Sequence, residues 1–487
     1  MLILGKVWTF DPERPRASAV AVRGDRVVAV GEAAELRARY PAEPRVQADW
    51  VTPGLHESHA HPLAWGLALA RLDLRGERDP RAVARRVAAA AAKAPAGAWI
   101  LGGGYVFDTY PEADLLDAAA PGHPVFLESR DLHSAWANRR ALVAAGVGPQ
   151  TPDPEGGRIL RDADGRPTGY LLERAVGRLR EALPRPTRDD LMRGLEDLAR
   201  RGFVAVHAMG EIPEATRWVR ELARGGRLPL RVAWTVLREQ ASSWSPEKLG
   251  EDLHVFGVKY FADGALTSRT AWMLAPYPDG GHGMPLDDPR QADEDVAAVL
   301  ERGFAPVWHA IGSRAVRELL DLTERLEARG LPVRERMRVE HVQHVADPDL
   351  PRLAGLALSV QPQHARDDRA ALERLGPGRA REAYRWGAFA KLPGVRLLLG
   401  SDAPVAPPDP AAALELAQAH PLPGARGLST EQALRAYTQA PAVQLGWHEE
   451  SAPWGVIRPG ARAALTLWEE GRPAGRIWRG ALEPVGG

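Results

Sequence analysis

The chain has 487 residues, 45% hydrophobic and 26% charged, which is enough for a large core and unlike a disordered chain. Its 63 basic and 63 acidic residues cancel, so no global field favours a nucleic acid or an anionic membrane as partner. The lack of any cysteine excludes disulfides, thiolate nucleophiles and thiolate zinc sites.

Met1 to Pro15 is only briefly apolar before Asp11 and Glu13, and it lacks the basic flank and small-residue cleavage site of an export signal. No run approaches the roughly 18 uncharged apolar residues of a membrane span. The expectation is a cytoplasmic protein with a small-molecule substrate, no nucleic acid and no membrane partner, with a homodimer as the open option for assembly.

Residues 1–50 read as short strands, Lys6–Phe10, Ser18–Val22 and Arg26–Gly31, with Gly24-Asp25 as a turn. Val51–Ser58 is the next strand-like run. From about 72 to 186 the pattern changes: an Ala-rich helix (Pro80–Lys93), strands Trp99–Tyr105 and Val125–Ser129, and a hairpin signal over Asp162–Gly169. A structureless loop of that length is implausible inside a compact domain, so this stretch reads as an inserted α+β subdomain. Seven further apolar β segments follow: Phe203–His207, Leu230–Val236, Val255–Phe261, Ala305–His309, Met337–Glu340, Ala357–Gln361 and Val395–Gly400. Between them lie helical patterns such as Pro213–Arg224, Ala292–Arg302, Arg314–Arg329 and Arg379–Lys391. The last forty residues return to strands, Ala463–Trp468 and Arg476–Leu482, around a turn at Glu470-Gly471-Arg472-Pro473.

Eight strands alternating with helices predict an α/β fold, a (β/α)8 TIM-type barrel over 51–444. Residues 1–50 and 445–487 then supply a small β-sandwich built from both termini. An open doubly wound sheet is the competing architecture. The barrel is preferred because polar residues gather at the C-terminal ends of the strands, where barrels carry their sites.

Those polar residues come in a definite order. The first strand runs into His59-Ala60-His61, and in an extended segment residues i and i+2 face the same way, so both imidazoles can reach one metal. That spacing alone is a weak motif. Lys259 is the only lysine in any expected barrel strand, and its alternation with Val258 and Tyr260 turns it to the interior, where a cation needs a partner or loses its charge. The fifth strand ends at His309, the sixth at His341 and the eighth at Asp402. Each alone is readily a core or capping residue. Together, in barrel order, they read as a metal site.

This constellation resembles the amidohydrolase superfamily, and within it the branch of metal-dependent hydrolases that includes N-substituted formamide deformylases. The resemblance spans nearly the whole chain. It rests on Pro53-Gly54-Leu55-His56-Glu57-Ser58-His59-Ala60-His61, Asp131-Leu132-His133-Ser134-Ala135-Trp136-Ala137-Asn138, and Lys259 with Asp263-Gly264. It continues through His309-Ala310-Ile311-Gly312, Glu340-His341, Gln361-Pro362, Gly400-Ser401-Asp402-Ala403-Pro404 and Gly455-Val456-Ile457-Arg458-Pro459-Gly460. It departs at His56-Glu57, where relatives have Ile-Asp, and at Ala463-Ala464-Leu465, where they have Ala-Asp-Leu.

The resemblance implies His59 and His61 on one divalent metal, His309 and His341 on a second, and a carboxylated Lys259 bridging them. Asp402 would ligate a metal and act as the proton-transferring base. Zinc is the first choice for such nitrogen and oxygen ligands, with Fe, Mn or Ni as alternatives. With one metal, Lys259 stays an amine paired with Asp263. His133, Asp131 and Asn138 of the insertion, and His207 at the end of the second strand, are the candidate substrate contacts, with His344, His364 and Trp386 on the far wall. The implied activity is hydrolysis of a non-peptide C–N bond in an amide, formamide or acylated amine. A deaminase or cyclic-amide hydrolase is the alternative activity, and a catalytically silent metal-binding protein the alternative class.

Overall fold

A computed structural model of the chain describes residues 1–129, 133–266, 268–278, 280–375 and 377–486. Two compact units divide the chain: residues 1–65 with 191–487, and residues 66–190.

The first unit is built on eight parallel strands: β1 (Leu55–Ala60), β2 (Phe203–Ala208), β3 (Arg231–Leu237), β4 (Leu253–Phe261), β5 (Ala305–Ala310), β6 (Arg338–His341), β7 (Ala357–Val360) and β8 (Arg396–Leu399). They neighbour one another in chain order, as in a barrel. The seam between β1 and β8 closes just past the strand ends. Ala60 bridges Ala403, the Asp402 amide donates to the His59 carbonyl at 2.7 Å, and the His61 amide donates to the Ala403 carbonyl at 2.9 Å. The strands are buried throughout β1, β2, β6 and β7, as expected of a parallel sheet covered on both faces.

The run Val51–Ser58, expected as one strand, is two. Arg45–Pro53 lies in the terminal sheet, parallel to Leu2–Trp8 and antiparallel to Leu465–Glu469, and the barrel strand begins only at Leu55. Gly54 makes the break: its amide donates to the Ala464 carbonyl at 2.8 Å, and a Cβ there would fall 2.2 Å from the Val204 side chain. The two termini meet in a seven-stranded sheet, in the order Ala481–Pro484, Arg472–Trp478, Leu465–Glu469, Arg45–Pro53, Leu2–Trp8, Arg16–Arg23, Arg26–Gly31. Arg476–Leu482 is likewise divided, because Arg479 and Gly480 turn the chain with φ of 48° and 82°. One side of this sheet buries Ile3, Val20, Val51, Leu465 and Ile477 together, and another cluster of Leu2, Leu4, Ala19 and Ala21 gathers around Leu36 of the helix Ala33–Arg39.

The helix expected over Arg379–Lys391 is broken into Pro377–Ala380 and Trp386–Phe389. Tyr384 has a φ of 53°, and its amide donates to the Gln343 carbonyl at 2.7 Å, while Ala383 bridges His344. Tertiary hydrogen bonds to the loop after β6 take the amides that a helix would have used.

The second unit is a six-stranded mixed sheet, ordered Gly157–Arg161, Pro167–Glu173, Ser134–Ala137, Val125–Ser129, Ile100–Tyr105, Leu72–Asp73. The helix Pro80–Ala91 contributes Val83 and Val87 to a cluster with Leu127 and Trp136; Phe126, Leu171 and Leu179 belong to a second cluster. Among the described residues, no helix is long and apolar enough to cross a membrane.

Candidate metal centre

The centre forms where β1, β6 and the segment after β8 end. Among the described residues, His59, His341 and Asp402 are the one group of three potential ligands whose donor atoms all lie within 4.8 Å of one another. The Asp402 carboxylate stands 3.3 Å from Nε2 of His59 and 3.3 Å from Nε2 of His61, with Nε2 of His364 4.0 Å away on its other oxygen. The His341 ring lies 4.8 Å from that of His59 and 4.5 Å from that of His309. The tightest group therefore draws one histidine from each of the two expected pairs.

The backbone is bent to make this possible. His341, Val342 and Asp402 all have positive φ, at 71°, 47° and 60°. Such conformations cost residues with side chains about 1–3 kcal/mol each and persist where the surroundings impose them. Gly400, just before Asp402, has no room for a side chain, since a Cβ would meet the His59 amide nitrogen at 2.5 Å and Oε1 of Glu57 at 2.8 Å.

Both inner imidazoles have one nitrogen already tied. Nδ1 of His59 donates to the Glu340 carboxylate at 2.5 Å, and Nδ1 of His341 donates to Oε1 of Gln361 at 2.9 Å. Each ring is thereby left with its Nε2 lone pair, the form a metal binds. Burial, reinforced by neighbouring rings, holds His341 well below the usual imidazole range, and burial with the Lys259 charge takes His309 down to about 3. Burial also lowers His61, but the Asp402 carboxylate reverses this and the net shift is upward. Burial alone would raise Asp402; His59 and His61 outweigh it and keep the carboxyl well below its ordinary value. The lowered imidazoles of His341 and His309 beside a charged carboxylate suit a divalent cation.

Lys259 is buried at 1% exposure, and its Nζ has no hydrogen-bond partner among the described residues. Burial takes its amine down to about 8. The alternative pairing with Asp263 is not formed: that carboxylate accepts the amides of Ile311, Gly312 and Trp272 at 2.7–2.9 Å. Nε2 of His309 donates to the Gly264 carbonyl at 3.1 Å.

The expected substrate contacts fare differently. Asn138 is fully buried and spent: Oδ1 accepts the amides of Val125 and Ala141, capping the helix Arg139–Ala144, and its amide donates to the His123 carbonyl. It is a structural cap, not a substrate group. His207 is also fully buried, between Arg338 and His56, rather than on the rim. Trp386 is fully buried and stacks on His420 with its Nε1 on the Ala417 carbonyl, so it too belongs to the core. His133 is exposed, with Nδ1 2.8 Å from Glu173, on a cavity of about 570 Å³ in the second unit lined by Tyr105, Phe107, Tyr110 and Tyr170. Asp131 lies outside the described residues. Sequence reasoning passed over Gln361, Glu340 and Arg338 as working groups, although the first two stood within the quoted motifs.

Comparison with known proteins identifies the family. A profile of the amidohydrolase family matches residues 49–477, and a short match to a bacterial imidazolonepropionase-like composite domain covers residues 19–42. The chain is 33% identical over 441 residues to Protein LONG AFTER FAR-RED 3 of Arabidopsis thaliana, covering 83% of this chain and 75% of that one. It is 32% identical over 194 residues, 37% of this chain and 35% of the other, to the N-substituted formamide deformylase of Arthrobacter pascens. Among solved structures, an uncharacterized metal-dependent hydrolase from Pyrococcus furiosus superposes with a TM-score of 0.79 at 27% identity, over 96% of this chain and 99% of that one. The matched span, the barrel and the ligand cluster at its strand ends place this chain in the amidohydrolase family.

Proposed function

We propose that the chain is a metal-dependent hydrolase of a non-peptide C–N bond in a small molecule, an amide, formamide or acylated amine. The observation that carries this reading is the convergence of His59, His341 and Asp402 with the second nitrogen of each imidazole already occupied. Similarity to a formamide deformylase and to a metal-dependent hydrolase supports the bond type and the cofactor.

His59, His341 and Asp402 would hold the ion, with His61 at the edge of Asp402. When bound, a divalent ion, zinc first for this donor set, polarises the scissile carbonyl and acidifies water. Asp402 takes the proton of the attacking water on a carboxylate oxygen and returns it to the leaving nitrogen. The C–O bond forms as the C–N bond breaks, and the amine leaves neutral. Nε2 of His364, buried, without a hydrogen-bond partner among the described residues and 4.0 Å from the Asp402 carboxylate, orients the substrate there. A second ion would draw in His309 and a carbamate on Lys259. The carbamate forms when the free amine adds to carbon dioxide, making one N–C bond and releasing one proton. The anionic product relieves a buried cation that has no partner.

Elemental analysis of protein purified without chelator, paired with a panel of N-substituted formamides and simple amides, tests the reading. At least one divalent ion per chain with release of amine and carboxylate is the expected result. Ammonia released from an aminated heterocycle added to the panel, with its amides left intact, would replace it with deamination. Metal without turnover across the panel would leave a silent binding protein, and no metal even after reloading would overturn it.

A further inference from the structure

Beneath the metal centre runs a line of buried polar groups of which the hydrolytic reading uses only the first contact, that of His59 with Glu340. From His59 it passes through Glu340, Arg338 and His207 to His56, all at or below 1% exposure. Nδ1 of His59 is 2.5 Å from Oε2 of Glu340. The Glu340 carboxylate is ion-paired with the Arg338 guanidinium, at 2.5 Å from Nε and 3.2 Å from Nη2. Nη1 of Arg338 is 2.7 Å from Nδ1 of His207, and Nε2 of His207 is 3.4 Å from Nδ1 of His56. Arg338 also donates to the Ser58 carbonyl, one residue before His59.

The polarity of this line is forced. A guanidinium only donates, so Nδ1 of His207 must accept, and the proton of that neutral ring sits on Nε2, facing His56. A carboxylate only accepts, so Nδ1 of His59 must carry its proton and leave the lone pair on Nε2, the atom 3.3 Å from Asp402. One cation thus sets the direction of hydrogen bonding on both sides of itself. The strand geometry is adapted to it as well. Glu340 and His341 are consecutive and in a regular strand would face opposite ways, yet the positive φ at His341 lets both serve the same centre.

We infer that Glu340 and Arg338, anchored by His207 and His56, are positioning residues that lock His59 as an Nε2 ligand of the metal. The inference rests on the metal reading above. A purely structural ion pair would stabilise the barrel without caring whether His59 is present. A positioning pair acts only through that ring.

Zinc affinity, measured by competition with a chromophoric chelator, and the visible spectrum of the cobalt(II)-substituted protein separate the two. Glu340→Ala should weaken zinc about 10–100-fold, the range for lost partners of metal-binding histidines. Glu340→Gln, which keeps an acceptor for Nδ1, should lose less, and His207→Leu should shift the cobalt spectrum in the same direction by less. In a His59→Ala background, Glu340→Ala should cost no further affinity, because contacts that act through one group are not additive. Should Glu340→Ala fail to fold with Arg338 left uncompensated, Arg338→Met/Glu340→Leu removes both charges and keeps the core apolar. Its zinc affinity should match the expected loss. Native affinity in either variant, or an equal loss in the His59→Ala background, overturns the positioning role while the metal reading stands. A wild-type chain that binds neither ion overturns both.

Discussion

At Asp402 one carboxylate faces two imidazoles, and the proposed hydrolysis gives it the proton of the attacking water as well. Its charge is kept by His59 and His61 against the cost of burial. Asp402→Asn keeps an oxygen donor of the same shape and removes the proton-accepting charge. On a substrate found in the amide panel, kcat is expected to fall about 10²–10⁴-fold, the usual contribution of a positioned general base. Metal content, read by elemental analysis, should stay at the wild-type level. Near-native turnover would show that the proton is handled elsewhere. A loss of metal equal to the loss of activity would make Asp402 a ligand alone.

At the scale of elements, the centre depends on how the first and last barrel strands are sewn together. Glu57 on β1 accepts the Ser401 amide at 2.8 Å and the His59 amide at 3.1 Å, and Gly400 lies so close that a Cβ would press on both Glu57 and the His59 backbone. Because one of the opposing atoms is backbone, Gly400→Ala is expected to cost about 1–3 kcal/mol of stability, as overpacking does. A lower midpoint in chemical denaturation and weaker zinc binding should appear together, since the same seam carries the proposed ligands His59 and Asp402. Weaker zinc at unchanged stability would place the strain in the loop alone.

The same elements show what was legible in the sequence. The barrel strands after the first announce themselves close to their observed bounds, and His59-Ala60-His61 is readable because extended geometry alone puts alternate residues on one side. The break at Gly54 is not, for it is decided by the Val204 side chain packed against it. The apolar spacing of Arg379–Lys391 is helical, but the Tyr384 amide finds a partner in the loop after β6 and the helix stops. Asn138 and His207 carry the residue types of a binding site, and their roles turn on partners that no local pattern reveals. Glu340 escapes notice for the same reason, since the imidazole it holds is 281 positions away in the chain.

At the scale of the whole molecule, the chain leaves the barrel unit after residue 65 and returns to it at 191, so that His59 lies on one side of the interruption and His341 and Asp402 on the other. On the proposed reading the metal ligands come from segments that only the folded barrel unites, and an ion that binds the native state alone stabilises it by mass action. At a free ion concentration of a thousand times Kd the gain is about 4 kcal/mol. Stripping the ion with a chelator is accordingly expected to lower the unfolding temperature of the loaded protein, and adding zinc back should restore it in proportion to its logarithmic concentration. Hydrogen exchange followed by peptide mass spectrometry locates the effect. Exchange should accelerate on metal removal in peptides spanning the ends of β1, β6 and β8, where fixing His59, His341 and Asp402 suppresses local opening. Peptides from residues 66–190, which supply none of the three proposed ligands, should change least. An unfolding temperature that ignores the chelator would mean that the native state holds no ion, and a loss of protection confined to residues 66–190 would mean that the ion is held somewhere other than the barrel's strand ends.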